Sequence, residues 1–210
     1  MGFIYPMETI INHIQMSGLL GIIGGYLLGS IPFGLVLCRL FGYGDIRKIG
    51  SGNIGATNVL RTGNKFLAVL TLILDSSKGL IAVLVAAAFF DTHAMFGAAL
   101  GAVLGHNFPV WLKFKGGKGV ATTLGTFIAL SWPVGLACCL TWVITAAISR
   151  ISSLSALIAL AMAPIYVVSF GNPHQVYLVG MLSLLGWIRH HANITRLLNG
   201  EEPKIGKKKD

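Results

Sequence analysis

Long apolar runs separated by short polar segments dominate this chain. They lie at about residues 18–41, 66–90, 94–112, 119–131, 133–149, 153–171 and 174–189. The core of a bilayer needs about 20 mostly apolar residues per helix. The pattern therefore predicts an all-α integral membrane protein, a bundle of seven transmembrane helices. The fourth run is short, so merging it with the fifth leaves six crossings, and shortening the bundle further leaves five.

The positions of Lys and Arg decide between these counts. With seven crossings, one side receives residues 42–65, 113–118, Arg150 and the tail 189–210, which are all rich in basic residues. The loops on the other side contain neither Lys nor Arg. Because cytoplasmic loops carry the excess of basic residues, the N-terminus is predicted outside and the C-terminus in the cytoplasm. Six crossings would move Arg150 and the tail to the opposite side.

Composition agrees with a membrane protein, since 54% of the residues are hydrophobic and 11% are charged, against about a quarter charged in soluble domains. The formal charge of +9 is gathered in short clusters, which indicates anionic lipid or a small phosphorylated ligand as partner and not nucleic acid. We predict an N-terminal extension at 1–17, a single membrane domain at 18–202 and a basic cytoplasmic tail at 203–210. No oligomeric state is predicted, and a monomer is consistent with the sequence.

Two apolar runs carry glycines at a spacing of four, which places them on one helix face and lets another backbone approach. They are Gly21, Gly25 and Gly29 in the first run and Gly97, Gly101 and Gly105 in the third. Asp75 and Lys78 stand three apart inside the second run, and we expect them to form an ion pair that supports the site. His106 ends the third run and is expected to tether loops.

The first of four polar clusters on the predicted cytoplasmic side reads GSGNIGATNVLR, at residues 50–61. Ser51 or Asn53 could cap a short helix running through Arg61, and a helix start among glycines binds anions readily. Thr57 and Asn58 add hydrogen-bonding groups, and the guanidinium of Arg61 can grip a phosphate by its fork. The alternative is an ordinary loop with a helix cap.

The second cluster reads KFKGGKGV, at residues 113–120. Gly116 and Gly117 would let backbone N–H groups approach a phosphate, and the charge of Lys118 adds to the dipole of the helix that begins there. It is not a Walker A loop, because Gly119 stands where that motif needs Ser or Thr. The alternative is a basic membrane anchor with a glycine turn.

The third and fourth clusters follow Arg150 and the last apolar run. Ser153 is either a helix cap or a ligand to the site. His190 and Asn193 are three apart and so share a helix face, although a solvated amphipathic tail would show the same spacing. The sequence has no carboxylate pair for acid–base chemistry and no metal-ligand spacing, so neither a metal nor a cofactor is predicted. The ligand should be phosphorylated, and the apolar bundle indicates a lipid chain as the other substrate.

Five sequence motifs now indicate a resemblance to a known family. They are GSIPFG at 29–34, GSGNIGATNVLR at 50–61, GHNFPV at 105–110, FKGGKGVAT at 114–122 and HHANITRLLNGEE at 190–202. In order and spacing the chain resembles the bacterial acyl-phosphate:glycerol-3-phosphate acyltransferases of the PlsY type. The resemblance implies a seven-helix enzyme of the bacterial inner membrane whose active site faces the cytoplasm.

The resemblance also implies the reaction. A fatty acyl group would pass from acyl phosphate to the 1-hydroxyl of sn-glycerol 3-phosphate, giving lysophosphatidic acid and inorganic phosphate, the first acylation in bacterial phospholipid synthesis. The residues implied as catalytic are Ser51, Arg61, Lys118, His190 and Asn193. Those implied to bind acyl phosphate are Ser51, Gly116, Gly117 and Lys118, and those for glycerol 3-phosphate are Thr57, Asn58, Arg61, Ser153, His190 and Asn193.

Two alternatives remain at this point. The proton of the attacking hydroxyl could be taken by the substrate phosphate or by His190 as a general base. A membrane transporter for a phosphorylated solute could use the same anion-binding loops, but it would need polar residues through the whole depth of the bundle.

Overall fold

The computed structural model describes residues 7–205, with side chains from residue 15 onward, and within that range every regular element is helical. The α-helices are α1 (Met7–Gly29), α2 (Phe33–Leu40), α3 (Ala56–Val59), α4 (Lys65–Phe89), α5 (Thr92–Asn107), α6 (Val120–Leu130), α7 (Trp132–Ser149), α8 (Ser152–Phe170), α9 (Val176–Arg189) and α10 (His191–Leu198). Single 3₁₀ turns lie at Ile46–Lys48, Leu60–Thr62, Val110–Leu112 and Pro173–Gln175. The last residues of the predicted tail, 206–210, lie outside the described part.

Five candidate spans in the described part of the chain are long and apolar enough to cross a membrane: Gln15–Leu40, Lys65–Phe89, Thr92–Leu112, Trp132–Ser149 and Ser152–Phe170. The other two predicted crossings correspond to α6 and α9, which have 11 and 14 residues. At 1.5 Å per residue these helices are about 16 and 21 Å long, shorter than the hydrocarbon core. The seven-crossing count therefore stays a prediction.

The first predicted run, 18–41, agrees with the candidate span Gln15–Leu40, and the structure adds two details. The helix already begins at Met7 in the described range, so residues 7–17 of the predicted extension belong to α1, and the run is broken between α1 and α2. The break follows from Pro32, which has no N–H and disfavours helical geometry at Ile31. The chain resumes its helix at Phe33.

The predicted close packing of the glycine faces is confirmed in the α1–α5 pair. An ideal Cβ built on Gly25 would lie 2.3 Å from the carbonyl oxygen of Ala98, and one on Gly101 would lie 2.2 Å from that of Ile22. Real carbon atoms do not approach an oxygen so closely. The two helices can reach this separation only because their facing positions lack side chains.

The predicted ion pair inside α4 is also confirmed. Lys78 Nζ lies 2.9 Å from Asp75 Oδ1 and donates a hydrogen bond of 3.0 Å to the carbonyl oxygen of Ile31. Both charged side chains are buried. Lys78 thus satisfies a carbonyl group that the break between α1 and α2 leaves without a helical partner.

Candidate active site

The structure brings all four polar clusters together through a chain of hydrogen bonds. Thr57 Oγ1 of the first cluster lies 3.1 Å from Ser152 Oγ, beside Ser153 of the third. Ser153 Oγ donates to Glu202 Oε1 of the fourth cluster at 2.8 Å. The guanidinium of Arg189, at the end of α9, donates to carbonyl oxygens in the second. Segments separated by up to 95 residues therefore form one polar region.

Asn58 shapes the first loop from inside. Its side chain is 2% exposed, and its Nδ2 donates to the carbonyl oxygens of Ile46, Ile49 and Asn53 at 2.8–3.0 Å. Its Oδ1 accepts from the backbone N–H of Ser51 at 3.0 Å. Because both ends of the amide bond within the loop, Asn58 holds Ser51 in place, and the expectation that it also binds glycerol 3-phosphate stays a prediction.

The helix expected after residue 51 begins later than predicted. α3 starts at Ala56, covers only four residues, and has Gly55 at its N-cap with no side-chain cap. Arg61 follows in a 3₁₀ turn and packs on Gly50, where an ideal Cβ would lie 2.6 Å from Arg61 Nη1. Gly50 has φ +56°, which favours glycine. The left-handed turn at Gly50 thus leaves space for the guanidinium beside Ser51.

The second cluster contains a loop at residues 115–119, which we call the glycine loop. The N–H of Gly116 donates to the carbonyl oxygen of Asn107 at 3.2 Å, and the N–H of Gly117 donates to that of His106 at 3.0 Å. These N–H groups therefore point at the end of α5, and the expectation that Gly116 and Gly117 bind acyl phosphate stays a prediction. The glycines instead allow close packing, since an ideal Cβ on Gly117 would lie 2.2 Å from His106 Nε2.

Lys118 follows these glycines, two residues before α6 begins. The pKa of its amine is lowered to about 8, mainly by burial, with the charge of Glu202 opposing the effect and those of Arg196, Arg189 and Arg61 adding to it. An amine in this environment gains much from an anionic partner, because the partner restores the preference for the charged form. The loop thus presents a cation that is suited to a phosphate group.

His190 lies between α9 and α10 with 2% exposure, and its Nδ1 is 2.7 Å from the carbonyl oxygen of Gly186. A carbonyl oxygen only accepts, so Nδ1 carries the proton and Nε2 keeps its lone pair. Burial lowers the pKa of His190 to about 4, with Lys118 and Arg189 adding to the effect against the opposing hydrogen bond and Glu202. His190 is therefore a neutral hydrogen-bond acceptor at neutral pH.

Glu202 is a site residue that the sequence reasoning missed. Its side chain is 6% exposed and accepts hydrogen bonds from Ser153, Asn193 and Arg196, the last at 2.6 Å. Burial by itself raises the pKa of this carboxyl group, but the three hydrogen bonds outweigh it and the pKa is lower than usual. In the sequence, Glu201 and Glu202 look like two acidic residues of a solvated tail, and Glu201 is indeed exposed.

The arrangement offers two chemical capabilities. Lys118 and Arg61 supply positive charge near the hydroxyl group of Ser51, which suits phosphate binding. His190 Nε2 and the buried Oδ1 of Asn193, which has no hydrogen-bond partner among the described residues, are acceptors that suit a substrate hydroxyl group. Among the described residues no group of three His, Cys, Asp or Glu side chains could hold a metal ion.

Comparisons with known proteins show which family this chain is similar to. Residues 19–200 match the family described as "Glycerol-3-phosphate acyltransferase". A glycerol-3-phosphate acyltransferase of Rhodospirillum rubrum is 60% identical over 195 residues, which cover 89% of this chain and 90% of the relative. One of Paramagnetospirillum magneticum is 62% identical over 187 residues, covering 89% and 93%.

Solved structures give the same result. A crystal structure of PlsY (YgiH), an integral membrane glycerol 3-phosphate acyltransferase in its glycerol 3-phosphate form, superposes with a TM-score of 0.84 at 41% identity, over 90% of this chain and 96% of that one. The lysophosphatidic acid form of the same protein superposes with a TM-score of 0.83 at 40% identity, over the same shares.

Proposed function

This chain belongs to the glycerol-3-phosphate acyltransferase family, and we propose that it transfers a fatty acyl group from acyl phosphate to the 1-hydroxyl of sn-glycerol 3-phosphate. The products would be lysophosphatidic acid and inorganic phosphate. The observation that carries the proposal is the joining of all four polar clusters into one site with cations, hydroxyl groups and a neutral histidine. The similar PlsY has forms with glycerol 3-phosphate and with lysophosphatidic acid, the acceptor and product of this reaction.

On the donor side, Lys118 and Ser51 hold the phosphate of the acyl phosphate. The charge of Lys118 lies beside the first turn of α6, whose N–H groups have no partners within the helix. Gly116 and Gly117 contribute by letting the loop pack against His106, and so they place Lys118 without binding the phosphate themselves. The same cation stabilises charge that develops on the carbonyl oxygen during transfer.

On the acceptor side, Arg61 holds the phosphate of glycerol 3-phosphate, with Thr57 and Ser153 nearby. His190 Nε2 and Asn193 Oδ1 accept hydrogen bonds from the glycerol hydroxyl groups and aim the 1-hydroxyl at the acyl carbon. Asn58 acts indirectly, since its side chain holds the backbone of Ser51 in place. This division gives each phosphate its own cation.

The reaction needs little help with bond breaking, because an acyl phosphate is an activated mixed anhydride. The 1-hydroxyl oxygen forms a bond to the carbonyl carbon, and the bond from that carbon to the phosphate oxygen breaks. The phosphate of the donor is a dianion at neutral pH, since phosphate esters have a second pKa of about 6. On departure it takes up the hydroxyl proton and leaves as hydrogen phosphate. Catalysis then comes mainly from positioning and charge stabilisation. The pKa of His190, about 4, makes it a weak general base and supports the orienting role.

The membrane arrangement completes the proposal. We infer seven crossings, counting α6 and α9 as short ones, with the N-terminus outside and the site on the cytoplasmic side of the bacterial inner membrane. The distribution of Lys and Arg in the sequence supports this orientation. The buried acid–base pair Asp75 and Lys78 bonds within the bundle, and nothing in the described residues favours the transporter alternative.

The proposal is tested with purified protein in detergent or lipid, supplied with palmitoyl phosphate and glycerol 3-phosphate. Phosphate and lysophosphatidic acid are measured together, with palmitoyl-CoA as the control donor and Lys118→Ala beside the wild type. We expect equal amounts of both products from palmitoyl phosphate alone and their loss in the folded variant. Transfer from palmitoyl-CoA at a similar rate would overturn the assignment of the donor.

A further inference from the structure

Arg189, at the end of α9, contacts the glycine loop and the residue after α5, which lie 72 or more residues earlier in the sequence. Its Nε and Nη2 donate to the carbonyl oxygen of Gly117 at 3.2 and 3.0 Å, and Nη2 also donates to that of Gly116 at 3.2 Å. The guanidinium carbon lies 5.0 Å from the centre of the Phe108 ring, which follows α5. One half-buried side chain thus contacts the glycine loop and the end of α5 from the end of α9.

The glycine loop is held from two sides. Its N–H groups at Gly116 and Gly117 bond to carbonyl oxygens of α5, as described above, and the carbonyl oxygens of the same two residues accept from Arg189. All four polar backbone groups of this dipeptide are therefore committed. The next residue after the dipeptide is Lys118, and the next residue after Arg189 is His190.

We propose that Arg189 is a positioning residue, whose fork on the carbonyl oxygens of Gly116 and Gly117 fixes Lys118 relative to His190. The proposal rests on the function proposed above for Lys118 and His190, and it assigns Arg189 no contact with either substrate. The competing assignment is a phosphate ligand, the usual role of an arginine in a site that binds phosphorylated substrates. The observed contacts favour positioning, because the bonded guanidinium nitrogens face carbonyl oxygens and the guanidinium carbon lies over an aromatic ring.

Two substitutions separate these assignments. Arg189→Lys keeps the positive charge but loses the planar fork, and Arg189→Gln loses the charge. If Arg189 positions the loop, we expect kcat to fall about 10- to 100-fold in both variants, since small displacements of reacting groups have effects of this size. If Arg189 binds a phosphate through its charge, Arg189→Lys should keep most of the activity and Arg189→Gln should raise the KM for one substrate.

A second readout needs no turnover. The rate at which an amine reagent modifies Lys118, measured by mass spectrometry from pH 6 to 10 without substrates, reports the pKa of Lys118 in the folded enzyme. This pKa is lowered to about 8, mainly by burial. The charge of Glu202 opposes the effect, and those of Arg196, Arg189 and Arg61 add to it. Arg189→Lys conserves the charge, so a large rise in the pKa, toward that of an exposed lysine, reports a moved loop that exposes Lys118. We expect a rise, and an unchanged labelling curve would overturn the proposal even if the proposed reaction itself were wrong.

The matched control is Arg39→Lys, which conserves charge at an exposed arginine that pairs with Asp45 and should leave both readouts at the wild-type values. Thermal unfolding in the same detergent shows that each variant is folded. Phe108→Leu supplies a second route, because it keeps Arg189 and removes the ring beneath the guanidinium. It should shift both readouts in the same direction by a smaller factor, and wild-type values in Phe108→Leu and Arg189→Lys together would overturn the proposal.

Discussion

In the α1–α5 pair, the glycines face backbone atoms of the opposite helix. In the glycine loop, Gly117 faces the ring of His106 and donates its N–H to the carbonyl oxygen of the same residue. Within a helix the peptide groups bond to their own neighbours, so the contact of these glycines with the opposite helix is a matter of shape. The glycine loop has no such internal pairing, and its polar groups depend on α5 and α9. Adding a methyl group should therefore affect stability in the first region and activity in the second.

The largest effect is expected from Gly117→Ala, which puts a methyl group 2.2 Å from the position of His106 Nε2. The loop must shift, and Lys118 shifts with it, so kcat/KM should fall about 100-fold. Steady-state kinetics with palmitoyl phosphate would measure this change. Gly180→Ala is the control, because nothing lies within 4 Å of a Cβ at that position in α9. Equal activities of the two variants would contradict the comparison.

Next in size is the effect of Gly101→Ala, where a Cβ would lie 2.2 Å from the carbonyl oxygen of Ile22. Forcing a methyl group into a packed contact costs about 1–3 kcal/mol, so the unfolding midpoint should fall while the folded enzyme keeps its specific activity. Gly24→Ala lies on α1 with open space around the added methyl group and should match or exceed wild-type stability, since alanine favours helix. A loss of activity without a loss of stability in Gly101→Ala would contradict the distinction between the two regions.

The same contrast explains what could be predicted from sequence. The helical bundle, the glycine faces and the ion pair of Asp75 and Lys78 follow from hydrophobicity and spacing, which are local properties. The role of Asn58 depends on how its own loop folds around it, and that of Glu202 depends on Ser153, which lies 49 residues away. No local pattern contains that information. The sequence marks Gly116 and Gly117 as important, but the direction of their N–H groups is set by contacts with α5, which no local pattern contains.

Glu202→Gln sharpens this point, because it tests a residue with no local signal. The amide still accepts from Ser153 and Asn193, but the ion pair with Arg196 is lost. A hydrogen bond to a charged group contributes about 1.5–3 kcal/mol, and the 36% exposure of Arg196 argues for the lower end. We therefore expect kcat/KM for glycerol 3-phosphate to fall about 10-fold. Glu201→Gln changes the exposed neighbour and should have the wild-type value, and a similar loss in both variants would contradict a specific role.

The smallest effect concerns pH and the charge of Lys118. Its pKa of about 8 means that the amine loses its proton, and with it the attraction for phosphate, as the pH rises through this value. The value of kcat/KM, which reports the free enzyme, should fall about fourfold between pH 7 and pH 8.5. Substrate titration does not contribute there, because phosphate monoesters with a second pKa of about 6 are already dianions.

Lys118→Arg tests the cause, because a guanidinium stays charged over this whole range. Whatever its activity at pH 7, that activity should stay nearly constant up to pH 8.5. Lys115→Arg changes an exposed lysine of the same loop and should keep the wild-type decline. A decline that persists in Lys118→Arg would assign the titration to another group, and the partial burial of Lys118 would then have no part in the pH dependence of the site.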